Sequence, residues 1–272
     1  MRDGLPADLR AVLPKDTAQS WLLLREVLAE TMVLYGGTAL AAHLHHRVSR
    51  DLDFFFDDPD VDLSALRVQL ESIRPLAVST HTSDTLNATF GGTKVQFLHA
   101  RAQDPVDTDT VIAGLRVASV RDIAATKIKV IGDRGELRDY YDLMVIEERT
   151  GVTVESALVD FQVRYRTIEP AALGHIVMAL GYLDDVTDDP ALPVERQDIE
   201  RYWHRRQPAV VRSLPTLTDA SLPVPPRASG PVPLPLPGGP AMRRSGGDQS
   251  GGVWVDPHIR DGHPISGYWR RR

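Results

Sequence analysis

Two aspartates, Asp51 and Asp53, stand one residue apart in "RDLDFFF", a run that otherwise has the composition of a buried strand. Side chains alternate between the faces of a strand, so both carboxylates project the same way, about 6.6 Å apart along the chain, while Leu52 and Phe54 project the other way. Two like charges on one face call for a positive partner. Upstream, Gly36 and Gly37 separate the apolar run "TMVLY" from the helical run "TALAAHLHH". Glycines on a strand-to-helix turn let backbone N–H groups approach an anion, and a helix opening at Thr38 adds the positive end of its dipole. That is a phosphate cradle. Two carboxylates beside it offer hard oxygen ligands that suit Mg²⁺, with Mn²⁺ as a substitute, held jointly by protein and triphosphate. In a two-metal arrangement, ions roughly 3.5 to 4 Å apart activate an attacking hydroxyl and stabilise a leaving pyrophosphate.

The elements around these residues can be read from periodicity and turn chemistry. "WLLLREVLAE" has helical spacing, "TMVLYGG" reads as a strand stopped by glycine, and "DLSALRVQLESI" is an amphipathic helix. "TLNATF" and "TKVQFL" flank Gly91 and Gly92 as the arms of a hairpin. Residues 1–118 therefore read as an α/β (α+β) domain with a mixed sheet and flanking helices. Residues 119–212 read as helical. Ser119 with Asp122 forms a capping box opening "VRDIAATKIKVI", Thr153 with Ser156 opens "VESALVDFQVRY", and "PAALGHIVMALGYL" and "VERQDIERYWHRR" follow. Beyond Pro208 lie more than half of all prolines, with glycine-rich stretches such as "GPVPLPLPGGP". Residues 213–272 are expected to be a flexible linker ending in a short aromatic and basic segment, "VWVDPHIRDGHPISGYWRRR".

Composition excludes several classes. Without cysteine there is no disulfide framework, thiolate nucleophile or cysteine-based zinc site. No basic-then-apolar leader and no run of about 18 to 20 apolar residues is present, so the expectation is a cytoplasmic protein without a membrane span. A net charge of -6 confines any nucleic-acid contact to local clusters of Lys and Arg.

An Asp-x-Asp strand or a Gly-Gly turn by itself is ordinary structure. Their conjunction, Gly-Gly-Thr on a strand-to-helix turn, a short helix and then Asp51, Leu52 and Asp53, resembles the polymerase-beta-like nucleotidyltransferases. The longer stretch "GGTALAAHLHHRVSRDLDFF" resembles the signature of the AbiEii/AbiGii-type nucleotidyltransferase toxins, and "VRDIAATKIKVIGDRGELRDYYDL" is a second family-like block. The resemblance spans about residues 34–212. It implies a minimal nucleotidyltransferase sheet joined to a helical domain, and transfer of a nucleotide from an NTP. In several members the acceptor is the end of a transfer RNA, and an antitoxin is encoded alongside.

Within these blocks the resemblance implies that Gly36, Gly37, Thr38 and Ser49 hold the triphosphate and that Asp51 and Asp53 are the catalytic metal ligands. It further implies that Lys127 binds phosphate, where an isolated lysine on a helix would read as a solvated surface group. Asp139 is implied as a further catalytic carboxylate, and Arg134 and Arg138 as nucleotide contacts. The ordinary reading of Arg138 is an i,i+4 ion pair with Asp142, worth only about 0.2 to 0.5 kcal/mol. Asp139 and Asp142 on one helix face beside paired tyrosines point to a selected surface, because Asp is a mediocre interior helix former. His43 and His46 share a helix face but lack a third zinc ligand at suitable spacing, so they are not read as a metal site. His46 and Arg47 are expected to shape the mouth above Asp51, and His45 to lie on the surface. Where the superfamily usually places a third carboxylate on a neighbouring strand, this chain has Gln96. Two functions therefore stay open: an active nucleotidyltransferase, with Asp139 as first candidate for the missing carboxylate, or a nucleotide- or partner-binding module whose chemistry has weakened.

Overall fold

The computed structural model describes residues 4–101, 103–166, 170–219, 252–255, 258–260, 263–265 and 268–271. Residues 1–223 form one compact unit that takes in both the α/β part and the helical part; residues 224–272 form another.

The first unit opens with two helices, α1 (Ala7–Ala11) and α2 (Lys15–Leu24). Sequence spacing extends the second helix to Glu30, but it stops at Leu24, where Trp21 is fully buried and donates to the Ala113 carbonyl at 3.3 Å. Strand β1 (Val33–Tyr35) leads into α3 (Gly36–Leu44), and β2 (Leu52–Phe56) follows. Helix α4 (Leu63–Ile73) is capped by Asp62, whose carboxylate accepts from the Ser64 and Ala65 amides at 2.8 and 3.2 Å. Strands β3 (Leu76–His81), β4 (Thr85–Phe90) and β5 (Thr93–His99) come next, with β4 and β5 joined across Gly91 and Gly92, both at positive φ. Two three-residue strands, β6 (Thr110–Ile112) and β7 (Leu115–Val117), complete the sheet.

The seven strands run in the order β3-β4-β5-β2-β1-β7-β6. The pairs β2/β5 and β1/β7 are parallel and the rest antiparallel, so the sheet is mixed, as the α/β (α+β) reading expects. Leu34, Leu52, Phe54 and Phe97 are fully shielded, and Phe54 and Phe97 stack at 5.3 Å across the β2/β5 pair. One face of β2 is thereby committed to the core. The other face carries Asp53.

Five helices follow: α5 (Val120–Arg134), α6 (Leu137–Thr150), α7 (Val154–Arg164), α8 (Pro170–Leu180) and α9 (Arg196–Asp219). Ser119 and Thr153 cap α5 and α7 as their sequences specify, accepting from the Asp122 and Ser156 amides. The last helix runs past the end read from sequence, through Pro208 to Asp219. Tertiary contacts carry it there: Trp203 and Val210 are fully buried, and the Gln207 amide donates to the Val177 carbonyl at 3.1 Å. Among the described residues no helix is long and apolar enough to cross a membrane.

In the second unit, β8 (Gly252–Val255) pairs with β11 (Tyr268–Arg271), and β9 (His258–Arg260) with β10 (His263–Ile265), both antiparallel. Most of the proline- and glycine-rich stretch expected to be a linker lies outside the described residues.

Candidate active site

The β1–α3 turn is built around glycine. Gly36 has φ +73°, and a Cβ there would come within 2.5 Å of Asp53 Oδ2; a Cβ on Gly37 would collide with the Arg47 guanidinium. Both glycines therefore let charged side chains lie directly on the backbone at the start of α3. Thr38 is fully buried. Its hydroxyl donates to the Asp51 carbonyl and shares a 2.8 Å hydrogen bond with the Ser49 hydroxyl. Thr38 thus ties α3 to the segment entering β2 and does not line the cleft, whereas Gly36, Gly37 and Ser49 do.

Asp51 immediately precedes β2 and Asp53 lies within it, with Tyr35 opposite on β1 and Gln96 opposite on β5. In a parallel pair, residues in register project to the same face, which brings Gln96 beside Asp53. The Asp53 carboxyl is pushed up to about 6, chiefly by burial and then by the neighbouring Asp51 charge, while Lys127 and Arg138 pull it back down. Asp51, read from sequence as the like-charge neighbour of Asp53, thus adds to the effect of burial on that carboxyl.

Helices α5 and α6 form the opposite wall. Lys127 is buried at 6% exposure, which removes the surface-lysine reading, and its ammonium donates to Asp139 Oδ1 at 2.6 Å and Asp142 Oδ2 at 2.7 Å. Burial works against its charge, but these two carboxylates outweigh it and hold Lys127 above the ordinary lysine value. Asp142 has no exposed surface and joins three cations or donors. Arg47 grips it bidentately, Nε to Oδ1 at 2.6 Å and Nη2 to Oδ2 at 2.8 Å, and His46 Nε2 donates to Oδ1 at 2.8 Å. Although burial alone would raise it, Lys127 and Arg47 hold the Asp142 carboxyl well below the usual range. Burial lowers the His46 imidazole, against the Asp142 carboxylate, which works to raise it. Asp139 and Asp142, which share a face of α6, are therefore buried, as are Tyr140 and Tyr141 between them, a correction to the reading of that face as surface. It is polar because it must neutralise cations arriving from α5 and from the loop after α3.

Arg138 pairs with Glu136 at 2.5 Å, so the expected i,i+4 pair with Asp142 does not form; Asp142 is already saturated by Arg47, His46 and Lys127. Asp139 lines the cleft, with Oδ2 accepting from the Glu136 amide at 3.0 Å in the capping box of α6 and Oδ1 taken by Lys127. The Arg134 side chain lies outside the described residues. His43 Nε2 donates to the Ala118 carbonyl at 2.8 Å, and His45 lies near Asp8 at 3.6 Å. Among the described residues no group of three His, Cys, Asp or Glu side chains could by itself hold a metal ion.

A cleft of about 270 Å³ results, walled by Gly36, Gly37, Asp51, Asp53, Gln96 and Lys127, with Arg47 and Arg138 at its mouth. The donor set fits a divalent cation shared with phosphate: two carboxylates and one amide on a sheet face, facing a helix start and a lysine. Lys94, which the sequence reading passes over, alternates with Val95 onto the same face of β5 as Gln96 and is exposed.

The chain is 29% identical over 174 residues to uncharacterized protein aq_aa25 of Aquifex aeolicus (strain VF5), a match covering 62% of this chain and 80% of that one. A solved structure described as a candidate nucleotidyltransferase from H. pylori aligns with 75% of this chain and 98% of its own, at TM-score 0.49 and 19% identity. JHP933 from Helicobacter pylori aligns with 79% of this chain and all of its own, at TM-score 0.46 and 20% identity. The family model for the nucleotidyl transferase AbiEii toxin of type IV toxin–antitoxin systems matches residues 21–226, most of the chain, which therefore belongs to that family and is a nucleotidyltransferase.

Proposed function

We propose that this protein transfers a nucleoside monophosphate from an NTP to an RNA acceptor, the end of a transfer RNA, as the toxin of a pair whose antitoxin restrains it in the cytoplasm. One observation carries the reading: Asp51 and Asp53 share a cleft with the glycine turn at the start of α3 and with buried, protonated Lys127. Gly36 and Gly37 present backbone N–H groups to the triphosphate, Ser49 flanks them, and Lys127 and Arg138 neutralise phosphate charge. Asp51 and Asp53 would hold Mg²⁺, or Mn²⁺, which supplies charge neutralisation at the reacting phosphates. Asp139 holds Lys127 in place from the first turn of α6. In the transfer, the acceptor hydroxyl oxygen bonds to the α-phosphorus and the bond to the bridging oxygen breaks. Pyrophosphate leaves, and the hydroxyl proton passes to the carboxylate face.

Gln96 favours a second reading, a nucleotide-binding module with weakened chemistry, because an amide brings neither charge nor basicity to the position beside Asp53. One assay separates them. Protein incubated with α-labelled NTPs, Mg²⁺ and total transfer RNA should place label in RNA, and Asp51→Ala or Asp53→Ala should lower the rate at least about 100-fold without lowering the melting temperature. Nucleotide binding without any transfer would leave only the second reading.

A further inference from the structure

Two larger cavities adjoin the cleft, and their charges differ. One shares Phe55 with the cleft, measures about 940 Å³ and is lined by five aspartates, among them Asp57, Asp58, Asp107 and Asp109, against two arginines. The other shares Arg47, Ser49, Asp51 and Arg138 with the cleft, measures about 460 Å³ and is lined by four cations against three aspartates. One of those three, Asp51, belongs to the metal face. The added cations are Arg50 and Lys94, both exposed. Arg47 is neutralised by Asp142 and Arg138 by Glu136, but neither Arg50 nor Lys94 has an ion-pair partner among the described residues.

Sheet register fixes where Lys94 stands. Leu52 pairs with Val95 and Asp53 with Gln96, so one step further along the parallel ladder sets Lys94 beside Asp51. Arg50 precedes Asp51 directly. Two positive charges without an ion-pair partner among the described residues therefore flank the outermost carboxylate of the metal face, with Asp16 and Asp189 in the same lining. On a protein whose net charge is -6, a polyanion is repelled most by the aspartate-edged cavity, and of the two openings the one at Arg50 and Lys94 opposes it least.

We infer that Arg50 and Lys94 form the acceptor subsite, binding phosphodiester groups just behind the terminal nucleotide of the RNA and so presenting its hydroxyl to the Asp51 side of the cleft. This rests on the RNA-acceptor reading above. It assigns the two sides of the site: NTP between the glycine turn and Lys127, acceptor strand along the start of β2 and β5.

Lys94→Glu and Arg50→Glu, singly and together, test it in steady-state transfer assays with labelled NTP and transfer RNA, alongside salt titrations of RNA binding. The expected result is a KM for RNA raised about tenfold or more per reversal. The salt slope of RNA binding should fall by about 0.7 for each phosphate no longer neutralised, while the Kd of the nucleotide and the melting temperature stay the same. Lys94→Arg should retain wild-type behaviour. Unchanged RNA KM and salt slope in the double variant, with wild type still labelling RNA, would overturn the acceptor subsite and leave the RNA reading standing. A wild-type protein that labels no RNA would overturn both.

Discussion

The two aspartates have a measurable consequence before any substrate is added. The Asp53 carboxyl titrates at about 6 in the folded protein against an ordinary value of 3.8, so between those values the folded state holds the extra proton. Sign follows from that: this group costs stability as pH rises from about 4 through about 6, by at most about 3 kcal/mol above that range. Asp53→Asn cannot ionise and should remove the cost. The metal-free variant should melt higher than wild type at pH 8, with the gap closing toward pH 4; equal melting at pH 8 would mean that burial and Asp51 together do not raise the Asp53 carboxyl. Gln96→Glu works in the opposite direction. In register with Asp53, a third carboxylate should lower the metal-free melting temperature and enlarge the rise caused by Mg²⁺. An unenlarged Mg²⁺ response, measured by thermal melting with and without the ion, would remove Gln96 from the metal face.

Among the elements, those with local signals could be read from sequence. The period-2 alternation of β2, the glycine pair between β4 and β5, and the Ser119 and Thr153 caps depend on residues within a few positions of one another. The edge strand β3 and the three-residue β6 and β7 could not, because they are too short or too exposed to leave an alternating pattern. Asp142 was legible only as a partner for Arg138 and as part of a surface with Asp139, not as the buried hub it is. Its partners His46 and Arg47 stand 96 and 95 positions away, and no local spacing announces a contact of that range. This residue ties α6 to α5 and to the loop after α3, so Asp142→Ala should leave buried Arg47 without its carboxylate and Lys127 with Asp139 alone. A loss of about 3 to 5 kcal/mol in chemical denaturation is expected. A loss under 1 kcal/mol would show that Lys127 and Arg47 find other partners.

At the scale of the molecule, the candidate cleft and its supporting helices all lie within the compact unit of residues 1–223. A shortened chain ending at Pro223 should therefore keep its melting temperature within about 2 °C, since the buried core of that unit is built from residues within it, and it should keep transfer activity. A large drop in either would make the C-terminal unit part of the working enzyme. The central claim is that nucleotide and metal meet at the β1–α3 turn and the β2 carboxylates. The most direct measurement is a crystal structure of the protein with a non-hydrolysable NTP and Mn²⁺, read by the anomalous signal of the metal. Manganese should lie against Asp51 and Asp53 with the triphosphate on the Gly36–Gly37 amides; manganese and nucleotide bound elsewhere, for instance in the cavity beyond Phe55, would contradict it.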